Sequence, residues 1–319
     1  MENIADGLRG LSKVMDSTND LLNTIQSYEE DENQNESRTQ QLLNEMKNGN
    51  ISEETLQELL KEERAEVQEE DKIVQLLNKL VEEDGEEVQI LEQVTQALGQ
   101  EEKSADQKLQ QLKQEISEMA QQGLSQESLQ QVMQHADSVA DILLDEAHEE
   151  LKASNLSQNL ARELGFSAEE IINAESLEKE EEYEEREEEQ LAKRINNENL
   201  MKMIKQLEQH TSRDEQQTEQ DREQLIQLIE ESEATEEQLE KETRHTYQEA
   251  EELLRLLSQL DQLVEGSPLE SQGFQQNMQN LFGEVEETEE ETQQAAQNEE
   301  QAENIEDKAE NEAENPPQA

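Results

Sequence analysis

Two short spacings in this chain could hold a metal ion. Glu242-x-x-His245 and Asp145-x-x-His148 each put a carboxylate and an imidazole on one face of a helix. Carboxylate-bridged di-metal bundles use two Glu-x-x-His pairs and two further Glu on facing helices. With 84 Asp+Glu and only 4 His, however, composition alone produces such pairs. A buried ligand set also needs an apolar face, and Arg244 and Thr246 flank His245. No metal ligand is assigned, and a di-metal helical-bundle enzyme is the distant third reading.

A second constellation is Leu160-Ala161-Arg162-Glu163-Leu164-Gly165-Phe166-Ser167 followed by Ile171, which has the spacing of a DNA-binding helix-turn-helix. Ala161 would pack against the second helix, Gly165 would make the turn and Ile171 would fill the core. Ser167 with Glu170 forms a capping box, and Phe166 with Ile171 a staple. The would-be recognition helix is Ser-Ala-Glu-Glu-Ile-Ile-Asn-Ala-Glu, with no Arg or Lys to meet phosphate or guanine. A tight helix corner is the expectation.

No P-loop, Gly-rich dinucleotide turn, nucleophile elbow or Cys–His pair is present. Paired carboxylates occur throughout and discriminate nothing. Aromatic residues are 2% of the chain, too few to build a pocket that desolvates a catalytic acid. No catalytic residue, cofactor-binding residue or cofactor is assigned, and the chain is read as no enzyme.

The elements that would position any site are long helices. Apolar residues are 31% of the chain, low enough to suggest disorder, yet they recur at helical spacing. Glu and Gln dominate, and their straight side chains lose little rotamer freedom in a helix. Only 10 Gly and 3 Pro interrupt the chain. Ile4, Leu8, Leu11, Met15, Leu22, Ile25, Leu43 and Met46 share one heptad phase, which lands between them on Glu29, Glu32, Glu36 and Thr39. Glu29 to Arg38 is therefore a wet part of one helix or a loop between two.

Asn48-Gly49-Asn50 marks a break, and Ser52 can cap the next helix with Ile51 stapled on Leu56. The seam then runs through Leu56, Leu60, Glu63, Val67, Glu70, Val74, Leu77 and Val81. Gly85 reads as a turn, although Val88, Leu91 and Leu98 hold the same phase; a further helix carries Leu109, Leu112, Ile116 and Met119. Polar intrusions such as Glu63 and Glu70 lower stability and favour one register. The start signal repeats at Leu124 to Leu129, with a weaker echo at Ala234 to Leu239, as degenerate duplication or convergent capping would produce. Leu129 to Ala147 form a wide stripe with small residues, suited to packing against several helices.

From Glu178 to Gln190 the chain is almost purely acidic and is expected to bury only Tyr183. Helices resume over 191–207, 223–231 and 236–265 and stop at Gly266-Ser267-Pro268, where Pro268 opens a short helix reaching Phe282. The expected organisation is an N-terminal helical or coiled-coil region (1–177), an acidic linker or exposed helix (178–190), a C-terminal helical hairpin region (191–282) and a disordered acidic tail (283–319).

The formal net charge is -59, which repels nucleic-acid phosphate and anionic membranes. No apolar segment has the length of a signal peptide or a membrane span. The fold class expected is all-α, with long antiparallel helices in coiled-coil-like hairpins or bundles. The function expected is a cytoplasmic, non-enzymatic scaffold or adaptor acting through helix–helix contacts. Its partners would be other helical chains or a second copy of itself, and its surface suits a salt-rich medium. The alternative is an acidic, chaperone-like mimic that sequesters a basic protein.

Overall fold

A computed structural model describes residues 2–49, 52–195 and 198–314. Five helices follow one another: α1 (Glu2–Lys47), α2 (Glu53–Gln122), α3 (Gln126–Ile195), α4 (Glu198–Val264) and α5 (Gln272–Glu314). No strand occurs among the described residues, and no helix is long and apolar enough to cross a membrane. The all-α expectation holds.

The stops at Gly49 and Gly266 are where the sequence places them, and further stops fall at Gly123 and after Ile195. Gly49, Gly123 and Gly266 have φ of 98°, 99° and 70°, the left-handed turn that only glycine adopts without strain. Three restarts, those of α2, α3 and α5, are capped by serine: Ser52 Oγ accepts from Thr55 N at 3.0 Å, Ser125 Oγ from Ser128 N at 3.1 Å and Ser271 Oγ from Phe274 N at 3.2 Å. The last cap moves the start of α5 from Pro268 to Gln272. Ile51, the other half of the expected staple, lies outside the described residues.

Several expected interruptions are absent. α1 continues through Glu29 to Arg38, and α2 continues through Gly85 into the segment carrying Leu109 to Met119. α4 is one helix through the capping echo at Ala234. The helix corner at Gly165 is not formed: α3 is continuous, Ser167 is buried inside it and Phe166 is 50% exposed rather than stapled. Leu160, Ala161, Leu164, Ala168 and Ile171 are all buried, so the periodicity carries the helix across the glycine.

The acidic run 178–190 is helical as well, and it buries Glu178, Glu184 and Glu188 while Tyr183 is exposed. The tail expected to be disordered from residue 283 is α5 as far as Glu314; residues 315–319 lie outside the described residues. Its buried positions are Val285, Thr288, Thr292, Ala295, Glu299, Ala302, Glu306, Ala309 and Ala313. These alternate by three and four residues. Small side chains in a heptad let neighbouring helices approach without a large apolar surface.

The chain forms two compact units, each made of segments from all five helices. The first comprises Met1–Ser12, Val88–Leu160 and Glu231–Asn304, and the second Lys13–Glu87, Ala161–Glu230 and Ile305–Ala319. The first has an apolar core of Leu109, Leu112, Ile116, Val132, Leu143, Leu253, Leu257, Leu260 and Phe274. Beside it, a smaller cluster joins Ile4 and Leu8 to Val94, Leu98, Ala153 and Leu239.

In the second unit, Leu42, Leu43, Met46, Leu59 and Leu191 pack together, and Leu56 and Leu60 pack on Ile204. Between apolar layers its α1 and α2 are held antiparallel by Thr18–Glu87 and Thr39–Glu66, each 2.5 Å. These two bonds lie three heptads apart on both helices, so one register covers the pair.

Candidate functional site

Buried acids at seam positions are the chemical feature of this fold. Along each helix the heptad phase passes through carboxylates without leaving the interior, and the facing helix offers a hydroxyl. In the first unit Thr246 donates to Glu150 at 2.5 Å, Thr243 to Glu299 at 2.9 Å and Ser157 to Glu236. In the second, Thr218 donates to Glu178 at 2.5 Å and Thr211 to Glu181 at 3.1 Å, and the Asn19 amide donates to Glu163 at 2.5 Å. A hydroxyl donor satisfies one carboxylate oxygen and leaves the charge uncompensated, so burial dominates the electrostatics.

Burial raises Glu299 to about 7, with Thr243 opposing, and pushes Glu150 well above the carboxylate range, with Thr246 opposing. Burial likewise raises Glu178 to about 7 against the Thr218 bond, and Asp84 to about 7 against Ser167. Glu32 rises to about 9, through burial first and then the charges of Glu181, Glu66, Glu29 and Glu69. Glu184 rises to about 7 through burial, with Gln40 opposing.

The metal candidates do not assemble. Asp145 is exposed, while the Nδ1 of His148 lies 2.8 Å from Glu291 of α5. Glu242 is turned against Gly99 of α2, and His245 Nδ1 is 3.9 Å from Glu249 on its own helix. Among the described residues, no group of three or more His, Asp or Glu is arranged to hold a metal ion.

Open grooves of about 590 and 500 Å³ lie in the first unit, one lined by Glu115, Glu118 and Met119, the other by Leu129, Met133 and Phe274. A smaller groove in the second unit, about 290 Å³, brings Asp71, Asp214, His210 and Arg213 together. In it Asp214 rises to about 6, through burial first and then the Asp71 carboxyl.

Sequence reasoning treats the in-phase Glu residues as defects and misses their partners. The signal is nevertheless there: Thr18, Thr39, Thr218 and Thr246 occupy the same heptad phase as the leucines around them. Glu63, named with Glu70 as a polar intrusion, has a side chain outside the described set, and Glu70 is buried at 3% exposure.

The chain matches no protein-family model and no curated protein. It is similar to a solved chain described as "Computational Design of Self-Assembling Cyclic Protein Homooligomers". The two are 11% identical, and the match covers 88% of this chain and 97% of that one at a TM-score of 0.15. A score that low supports no argument about arrangement or function.

Proposed function

We propose that this chain is a non-enzymatic helical scaffold or adaptor that works through helix–helix contacts. One observation carries the reading: the heptad phase of α1 stays buried or half-buried from Ile4 to Met46 whether the seam residue is leucine, threonine or glutamate. Such a chain specifies helix length and register more strongly than it specifies a pocket. The polar pairs support this, because a buried hydroxyl–carboxylate bond exists in one register only.

The surface charge adds a condition. At -59 the helices repel one another, and screening shrinks the range of that repulsion from about 10 Å at 0.1 M salt to about 3 Å at 1 M. A salt-rich medium is therefore the setting in which the scaffold is expected to work. Circular dichroism during a KCl titration, with mass by light scattering at both ends, tests the reading. Helicity rising with salt, together with a discrete self-associated species at high salt, is the expected outcome. A chain monomeric at every salt concentration would overturn self-association, leaving a different helical chain as the partner to be sought.

The same charge favours a second reading, an acidic protein that sequesters a basic partner. Cations such as Lys193, Lys241 and Arg244 pair with a glutamate on their own helix, and with 84 Asp+Glu against 25 Lys+Arg the surface stays strongly acidic. Micromolar or tighter binding to a basic protein that persists in moderate salt would favour it over the scaffold.

A further inference from the structure

The second unit contains a layer in which carboxyls from three helices face one another. α1 brings Glu29, Glu32 and Glu36, α2 brings Glu66, Glu69, Glu70 and Asp71, and α3 brings Glu178, Glu181 and Glu184. From α4 the facing groups are Thr211, Thr218 and Asp214, with His210 and Arg213 beside Asp214. The nearby Lys72 is engaged on the Tyr28 ring, its Nζ 4.8 Å from the centroid.

Glu70 is central to this layer. Its side chain is 3% exposed, neither oxygen has a donor, and its carboxyl reaches the carboxyl of Glu181. Two carboxylates within hydrogen-bonding reach can bond only if one of them carries a proton. Glu181 also accepts from Thr211, on its Oε2, at 3.1 Å. Glu32, 2% exposed, leaves its Oε2 without a donor and lines a cavity shared with Glu66, Leu177, Glu181 and Glu184. That cavity holds about 10 Å³, at the lower limit for one water molecule. Water cannot solvate these charges while the layer stays packed, and no described group of His, Asp or Glu there is arranged for a metal.

We propose that this layer is a proton-operated latch: it is closed while Glu70 and Glu181 share a proton, and it opens locally, admitting water between α1, α2 and α3, when both are ionised. The latch goes beyond the scaffold reading and does not depend on what the chain assembles with. Burial, then the Glu181 charge, pushes Glu70 up to about 12, and burial lifts Glu32 to about 9, which puts opening on the alkaline side.

Hydrogen exchange of the full chain, resolved by mass spectrometry and corrected for the intrinsic pH dependence of exchange, tests the latch at constant high salt. Segments 64–74 and 176–186 are expected to lose about ten-fold or more in protection between about pH 8 and pH 12. Segments 105–119 and 250–264, in the apolar core of the first unit, are expected to keep theirs. In Glu70→Gln the amide donates to Glu181 in place of the shared proton, so the loss should shrink to less than about three-fold. Glu181→Gln offers the same donor from the other side, should the first variant fold poorly. A layer whose protection in the wild-type chain is independent of pH overturns the latch. So does a loss that runs in parallel in the apolar segments, and so does a Glu70→Gln profile equal to that of the wild type.

Discussion

Thr246 of α4 donates its hydroxyl to Glu150 of α3 at 2.5 Å, and both side chains are buried. The bond sits where a heptad would ordinarily place two leucines. It converts a packing position into a matching one, because only one register brings the hydroxyl to the carboxyl.

Thr246→Val keeps the shape and removes the donor. The Glu150 oxygen then loses a hydrogen bond in a dry layer, at a cost of about 1–3 kcal/mol. The Thr246 bond favours the ionised form of Glu150, opposing the upward push of burial. The loss should therefore be larger in an alkaline buffer than in an acidic one, because the ionised form of Glu150 gains weight as pH rises. Thermal denaturation followed by circular dichroism in the two buffers checks this, and an equal shift in both would contradict it.

The whole chain should be most stable on the acid side. An unfolded carboxylate titrates near pH 4, whereas Asp84, Glu178, Glu184 and Glu299 are held at about 7 and Glu32 at about 9 in the folded chain. The folded state thus keeps protons that the unfolded state releases, and stability falls as pH rises from about 4 to about 9. Glu187 and Glu252 act in the opposite direction, lowered first by hydrogen bonds from Lys47 and from Arg255 respectively. Both lie at the partly exposed surface, where solvent screens their ion pairs, so their contribution is small. Melting temperatures in molar KCl should decline from about pH 5 to about pH 9; a rise over that range would refute the burial of these acids.

Glycine substitutions should separate by sign. Gly10 lies inside α1 with nothing near the position of an added Cβ, so Gly10→Ala should stabilise by about 0.5–1 kcal/mol. Three residues earlier, a Cβ at Gly7 would come 2.6 Å from Val94 Cγ2, so Gly7→Ala should destabilise unless Val94 moves. Gly123 has φ 99°, and alanine there should cost about 1–2 kcal/mol. Chemical denaturation of the three variants gives the ordering; a gain in stability at Gly123 would mean that the α2–α3 turn is not left-handed.

The helices were legible because their signal is local. Heptad spacing, the start signals at Ser52 and Ser125, and the glycines at 49 and 266 all act within a few residues of the chain. The continuity of those helices was not legible. Gly85, Gly165 and the start signal at Ala234 are the same local marks that end helices elsewhere in this chain, and here they lie inside them. Gly85 stays helical with Leu228 of α4 packed against it, and Gly165 with Ile305 and Ala309 of α5 nearby. The cost of a helical glycine is about 1 kcal/mol, which a neighbouring side chain can offset. Phe166 shows the same override: its staple partner Ile171 turns inward and the ring stays outside.

By itself, the sequence determined the all-α class, the main stops, the acidic character and the heptad phase of each seam. Tertiary structure decided which carboxylates are buried, because burial depends on what the other helices place opposite them. Glu32 and Glu70 look like solvated interruptions when read along one helix. They become enclosed acids only when α1, α2 and α3 close around them, with dehydration as the cost that local propensity does not contain. The tertiary structure likewise decided the fate of residues 283–314. Their alanines and threonines have too little apolar surface to fold alone, but they fit a seam whose other sides are already formed.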